Sequence, residues 1–150
     1  MTLYETIGSN LKEAMKAGDT FTRDTLRLAQ SALKNTALDK RKDAATLSDD
    51  EVIEVLKRLV KQRKDSITQY VAGGRADLAA TEQAEIEVIQ KYLPAEMDDA
   101  TLESTIVAAL AEVELTQKSD MGKAMGVAMV AVAGAASGDR VKKVVESILQ

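Results

Sequence analysis

A chain of 150 residues, 45% of them hydrophobic, is long enough for one ordinary domain or two small ones around a sizeable core. Aromatics make up only 3% and Trp is absent, so that core is built of Leu, Ile, Val, Met and Ala, which favours helices over sheets. With no Cys, no His and a net charge of −4, the chain excludes disulfides, thiolate nucleophiles, Cys/His zinc sites and Ser–His–Asp machinery, and it argues against broad electrostatic binding of nucleic acid.

The charge is uneven. Residues 1–95 hold 15 basic and 15 acidic side chains, whereas residues 96–150 hold 5 and 9. One Pro and eight Gly leave room for few turns and therefore for few, long elements. Seven helices and no strand are predicted, an all-α protein.

The first helix starts at Thr2, with Glu5 at capping-box spacing, and ends at Gly18. Leu3, Ile7, Leu11, Ala14 and Met15 form its apolar face. The second runs from about Thr22 to Leu38 with Leu26, Ala29, Leu33 and Ala37 in register. The charged stretch "DKRKDAAT" is a loop. The third helix has the clearest start in the chain: Ser48 caps, Glu51 reaches back, and Leu47 staples to Val52. It continues to about Ala72, roughly 35 Å at 1.5 Å per residue. Gly73-Gly74 turns the chain, and a fourth helix runs from about Arg75 to Tyr92, giving a long antiparallel hairpin. Pro94 closes that helix and sets a domain boundary, with an N-terminal helical domain over 1–94 and a C-terminal three-helix domain over 95–150. In the second domain Asp98 caps the fifth helix, with Met97 stapling to Leu102. The sixth starts near Ser119 or Asp120. The seventh starts near Asp139 and buries Val141, Val144, Val145, Ile148 and Leu149.

Three features could carry function. The third helix bears Lys57, Arg58, Lys61 and Lys64, but Glu54–Arg58 and Lys61–Asp65 are spaced to pair, so a solvated, self-paired face is expected. Arg63 instead falls within the apolar face of that helix. Counted from the Gly-Gly turn, it is level with Glu82, in the middle of the apolar face of the fourth helix, and with Glu85 at its edge. A charge placed there requires a partner, so a structural ion pair among Arg63, Glu82 and Glu85 is predicted. The third feature is "SDMGKAMGVAMVAVAGAASGDR". It lacks P-loop and GxGxxG spacing, so no cofactor is expected, and no metal set is present. Its least polar run, from Ala124 to Ser137, is shorter than the roughly 20 residues of a membrane span. Met121, Met125, Ala128 and Val132 read as a core stripe. Gly122, Gly126 and Ala133 read as an adjoining face for close packing, with one phosphate at the Gly122–Lys123 helix start as the alternative.

"KQRKDSITQY", "GGRADLAATEQAEIEVIQKYLP" and "SDMGKAMG", in this order and spacing, resemble the GatB/YqeY family over essentially the whole chain. The family comprises YqeY-like stand-alone proteins and the tail of the B subunit of glutamyl/aspartyl-tRNA amidotransferase. The resemblance implies a larger N-terminal and a small C-terminal helical domain, and a tRNA-contacting appendage whose amide chemistry belongs to other domains. The leading expectation is a non-catalytic accessory protein that binds tRNA or a tRNA-processing complex, with no membrane and no DNA signal. Lys118, Gly122, Lys123, Arg140, Lys142 and Lys143 are its phosphate-binding candidates. The alternatives are a component linked to glutamine-dependent carbon–nitrogen ligase activity, as the family association implies, and a protein–protein interaction module. A Cys-free chain whose "MTLYETIGSN" start lacks a basic-then-apolar pattern is expected to be soluble and cytoplasmic.

Overall fold

A computed structural model describes residues 1–150. The chain forms seven α-helices: α1 (Leu3–Ala17), α2 (Thr20–Asp39), α3 (Asp49–Ala72), α4 (Ala76–Gln90), α5 (Asp99–Glu112), α6 (Met121–Val132) and α7 (Gly138–Ile148). Short 3-10 turns at Ala44–Thr46 and Lys118–Asp120 complete the regular structure, and there is no strand. The chain divides into two compact units, Met1–Leu93 and Pro94–Gln150.

In the first unit, local chemistry fixes each helix end. Thr2 and Glu5 form a reciprocal capping box, Glu5 N–H to Thr2 Oγ1 at 3.2 Å and Thr2 N–H to Glu5 Oε2 at 2.9 Å. Gly18 ends α1 in the left-handed conformation, φ 72°, which a side chain would resist. α2 begins two residues before the expected Thr22. Asp19 is its cap: Oδ1 accepts the Thr22 N–H at 3.1 Å and Oδ2 accepts the Thr22 hydroxyl at 2.7 Å. Ser48 and Glu51 cap α3 reciprocally, both bonds at 3.1 Å, and Leu47 and Val52 are both in the core. α4 stops at Gln90, short of Tyr92. Tyr92 and Leu93 donate to the Ile89 and Gln90 carbonyls in tighter turns, because Pro94 disfavours a helical residue before it. α3 packs along α4, and α2 touches α1, α3 and α4. The shared core includes Ile7, Leu26, Leu33, Leu56, Ile86 and Ile89, each contributing about 1.5–3 kcal/mol on full burial.

In the second unit α5, α6 and α7 each contact the other two. Asp98 caps α5 and Ser137 caps α7, one residue ahead of the expected Asp139 start. One end is tied by Met97 N–H to the Ala135 carbonyl at 2.8 Å. The other is tied by two bonds, Gln150 N–H to Thr116 O at 2.9 Å and Lys118 N–H to Gln150 O at 3.0 Å. Leu102, Ile106, Leu110, Val141, Val145 and Leu149 fill the core with Ala124, Ala128 and Val132. The buried stripe of α6 is thus centred on small residues. Met121 and Met125 sit half-buried at its flank, because α6 meets two neighbours at once and alanines allow both to come close.

Candidate functional site

The phosphate-binding candidates are spread along α7. Lys118 and Lys123 lie toward the end where the C-terminus ties to residues 116–118, Arg140 lies in the first turn of α7, and Lys142 and Lys143 lie near its middle. Arg140 and Ile148 are about 12 Å apart along the helix, so the set is not one site.

Arg140 is already committed. Its Nη2 donates to the Met97 carbonyl at 2.8 Å and to Asp99 Oδ1 at 2.9 Å, and its Nη1 lies 4.0 Å from Glu96 Oε2. It fastens the entrance of α5 to α7 and has its charge matched there. Lys142 pairs with Glu146 at 3.9 Å along α7. Lys143 lines an open cleft with Ser147 and with Asp99 and Glu103, and those two carboxylates oppose an incoming anion. Nearby, Asp98 is held below the usual carboxylate range, first by the Thr101 backbone N–H. Lys118 and Lys123 form no ion pair. They flank the start of α6, which, unlike the starts of α5 and α7, has no side-chain cap.

The glycines of α6 are not there for close packing. Gly122 and Gly126 are exposed, and a Cβ on either would meet nothing within 4 Å. The close-packing expectation is therefore corrected: the neighbours of α6 meet its Ala124–Ala128–Val132 side, leaving the glycines on the outside. That outer face also carries Lys123, Met129, Val130 and Ala133, so Lys123 is its one charge.

Arg63 is 12% exposed and its Nε donates to Glu85 Oε2 at 2.8 Å, with Glu85 19% exposed. Arg63 Nη1 also donates to the Leu59 carbonyl at 3.2 Å. Glu82, half-buried, takes no part in the pair. α4 packs on both α2 and α3, so its buried arc is shared, and the flank toward α3 carries Glu85. The expected pairs Glu54–Arg58 and Lys61–Asp65 do not form. Arg58 Nη2 reaches across to Thr36 Oγ1 at 3.5 Å.

One cluster was missed. Glu51, read from the sequence only as a cap, also accepts from Lys40 Nζ at 2.7 Å and from Lys42 Nζ. These two ammonium groups, then the Ser48 backbone N–H, hold its carboxyl well below the usual carboxylate range. The lysines of "DKRKD" were the available signal, but the fold of the loop, with Arg41 at φ 56°, is what brings them back to α3.

Comparisons with known proteins place this architecture. The model of the Yqey-like protein family matches residues 4–149. Curated relatives include altered inheritance of mitochondria protein 41 from Candida glabrata, 38% identical over 59% of this chain and 48% of its own length. The Saccharomyces cerevisiae protein of that name is 39% identical over 56% of this chain and 44% of its own, and the Vanderwaltozyma polyspora protein 36% over 56% and 44%. The chain thus spans less than half the length of the curated relatives it matches. These relatives are named as mitochondrial, which overturns the expectation of a cytoplasmic protein. A Cys-free, moderately acidic composition does not distinguish the cytosol from the interior of an organelle. No helix is long and apolar enough to cross a membrane. A match over residues 4–149, on a chain folded entirely from helices, makes this protein a member of the YqeY-like family.

Proposed function

We propose that the protein is a non-catalytic accessory factor that contacts RNA, of the kind suggested by its resemblance to the tRNA-contacting tail of the amidotransferase B subunit. In this reading the α3–α4 pair is an antiparallel hairpin scaffold, and the second unit is a three-helix module that meets the nucleic acid. The observation that carries it is the pair Lys118 and Lys123, two cations that form no ion pair and stand on either side of Asp120 at the start of α6, where no side chain caps the helix. A helix start flanked by two lysines favours a phosphate group, with the Asp120 carboxylate as the one opposing charge there. Glutamine-dependent carbon–nitrogen ligase chemistry would then belong to a partner, with this chain presenting the RNA. The test is titration of the 150-residue chain with tRNA at low salt. K118Q/K123Q weakens binding measurably under this reading, and unchanged affinity removes these two lysines from the interface.

A second reading, a protein–protein module, is favoured by the outer face of α6, where Val130 is 81% and Met129 39% exposed beside bare Gly122 and Gly126. A Val130→Glu variant that leaves tRNA binding intact but abolishes association with a protein partner would select it.

A further inference from the structure

We infer that the outer face of α1 and α2 carries a second contact for the RNA phosphate backbone, formed by Lys12, Arg27 and Lys34. The inference rests on the RNA-binding reading above but not on the residues that support it.

Two contacts fix the register of the helices. Arg27 Nη2 approaches Met15 Sδ at 4.0 Å, and a Cβ on Gly8 would lie 3.7 Å from Gln30 Nε2. Gly8 and Met15 are seven residues apart on α1, and Lys12 lies between them on the same side, four residues after one and three before the other. On α2, Arg27, Gln30 and Lys34 likewise form one row. The two rows face each other. Arg27 and Lys34 are about 10 Å apart along α2, and Lys12 stands opposite the interval between them.

None of the three cations forms an ion pair, and the local carboxylates are occupied. Asp24, one turn before Arg27, takes Arg23 Nε at 2.8 Å and also feels the Arg27 charge, without forming an ion pair with it. Glu13 lies 3.8 Å from Lys16, and Glu5 is engaged in the α1 cap. Between the cations lie the Gln30 amide and the Ser31 hydroxyl, neutral groups able to bond phosphate or ribose oxygens. The half-buried Gly8 adds no side chain to the space between the rows. The charge balance also favours this unit. Residues 1–95 are neutral overall and the whole −4 lies beyond them, so a polyanion meets less opposing charge here. Discrete cations with polar groups between them suit a phosphate backbone better than a lipid surface. Of the exposed apolar side chains on these helices, Met15 and Leu38 lie at opposite ends of the cation row and Phe21 and Leu28 lie about 100° or more around α2 from Arg27, so they form no broad apolar face among the cations.

The experiment compares the wild-type chain, K12Q/R27Q/K34Q and K118Q/K123Q by fluorescence anisotropy with labelled tRNA across a salt series. Circular dichroism checks that each variant is folded. Loss of three phosphate contacts lowers affinity about 100-fold at 0.1 M salt and reduces the slope of log K against log salt by about 2 to 3. A triple variant that keeps wild-type affinity and slope overturns the inference while leaving the RNA reading intact. Wild type that binds no tRNA at low salt overturns both. Wild type that binds phosphatidylglycerol vesicles through these three residues, and not tRNA, assigns the face to lipid and overturns the inference.

Discussion

Removing Glu85 exposes the energetics of the first unit most clearly. In Glu85→Ala the Arg63 guanidinium keeps its bond to the Leu59 carbonyl but loses its countercharge in a place that is only 12% exposed. At 2.8 Å the attraction in an effective dielectric near 20 is about 6 kcal/mol before desolvation is subtracted. Exposed pairs are worth about 0–1 kcal/mol, and breaking a fully buried pair costs about 3–5 kcal/mol. This pair lies between those limits, so Glu85→Ala is expected to cost about 2 kcal/mol, a change of more than tenfold in the folded-to-unfolded ratio. Glu82→Ala, at a half-buried position outside the ion pair, is expected to cost about 0.5 kcal/mol, well below Glu85→Ala. The double replacement R63M/E85L, which removes both charges and keeps apolar volume, should fall within about 1 kcal/mol of wild type. The assay is urea unfolding followed by tyrosine fluorescence. All three tyrosines, Tyr4, Tyr70 and Tyr92, lie in the first unit, so the signal reports that unit alone. A Glu82→Ala effect as large as that of Glu85→Ala would refute the reasoning.

Gly126→Ala should stabilise the second unit by roughly 0.5–1 kcal/mol, since it improves helix propensity and meets open space; a loss of stability in a thermal melt would restore a packing role for the glycine. Ile106→Ala, at a fully buried position, should cost about 2–5 kcal/mol. It should lower the helical melt seen by circular dichroism while leaving the tyrosine transition in place, and a matched shift in both signals would show that the units unfold together. Glu51 is expected to titrate well below the ordinary glutamate range when its carboxyl carbon is followed by NMR. Its folded pKa is depressed, so the stabilisation it gives is present above the ordinary carboxylate pKa of about 4.3 and is lost as pH falls below that value toward the depressed one. Acid unfolding should accordingly be less steep in Glu51→Gln, and a Glu51 that titrates with its neighbours contradicts the double lysine contact.

The all-α class and most helix ends were legible because they are set locally. Thr2–Glu5, Ser48–Glu51 and Asp98 act within three or four residues of themselves, and the structure uses each as a cap. What periodicity could not resolve is how an apolar arc is divided when a helix has two neighbours. That is why Glu85 rather than Glu82 meets Arg63, and why α6 turns its alanines inward and its glycines out. Side-chain pairing was less legible still. Arg58 prefers Thr36 on another helix to Glu54 on its own, and Arg140, counted as a free cation from its position, is matched by Asp99 and Glu96. The proposed α1–α2 cation group was not legible, because Lys12 and Lys34 are far apart in sequence and their grouping depends on how α1 packs on α2.

The proposed binding of RNA through phosphate contacts is tested most directly by equilibrium binding of this chain to tRNA between roughly 50 and 300 mM salt, the range where counterion release dominates. Five contacts, from Lys12, Arg27, Lys34, Lys118 and Lys123, correspond to a slope of log K against log salt of about −3.5 to −4.5. A slope in that range, lowered by neutralising either group of cations, is the predicted result. No binding at the lowest salt, or affinity that does not change with salt, would contradict it.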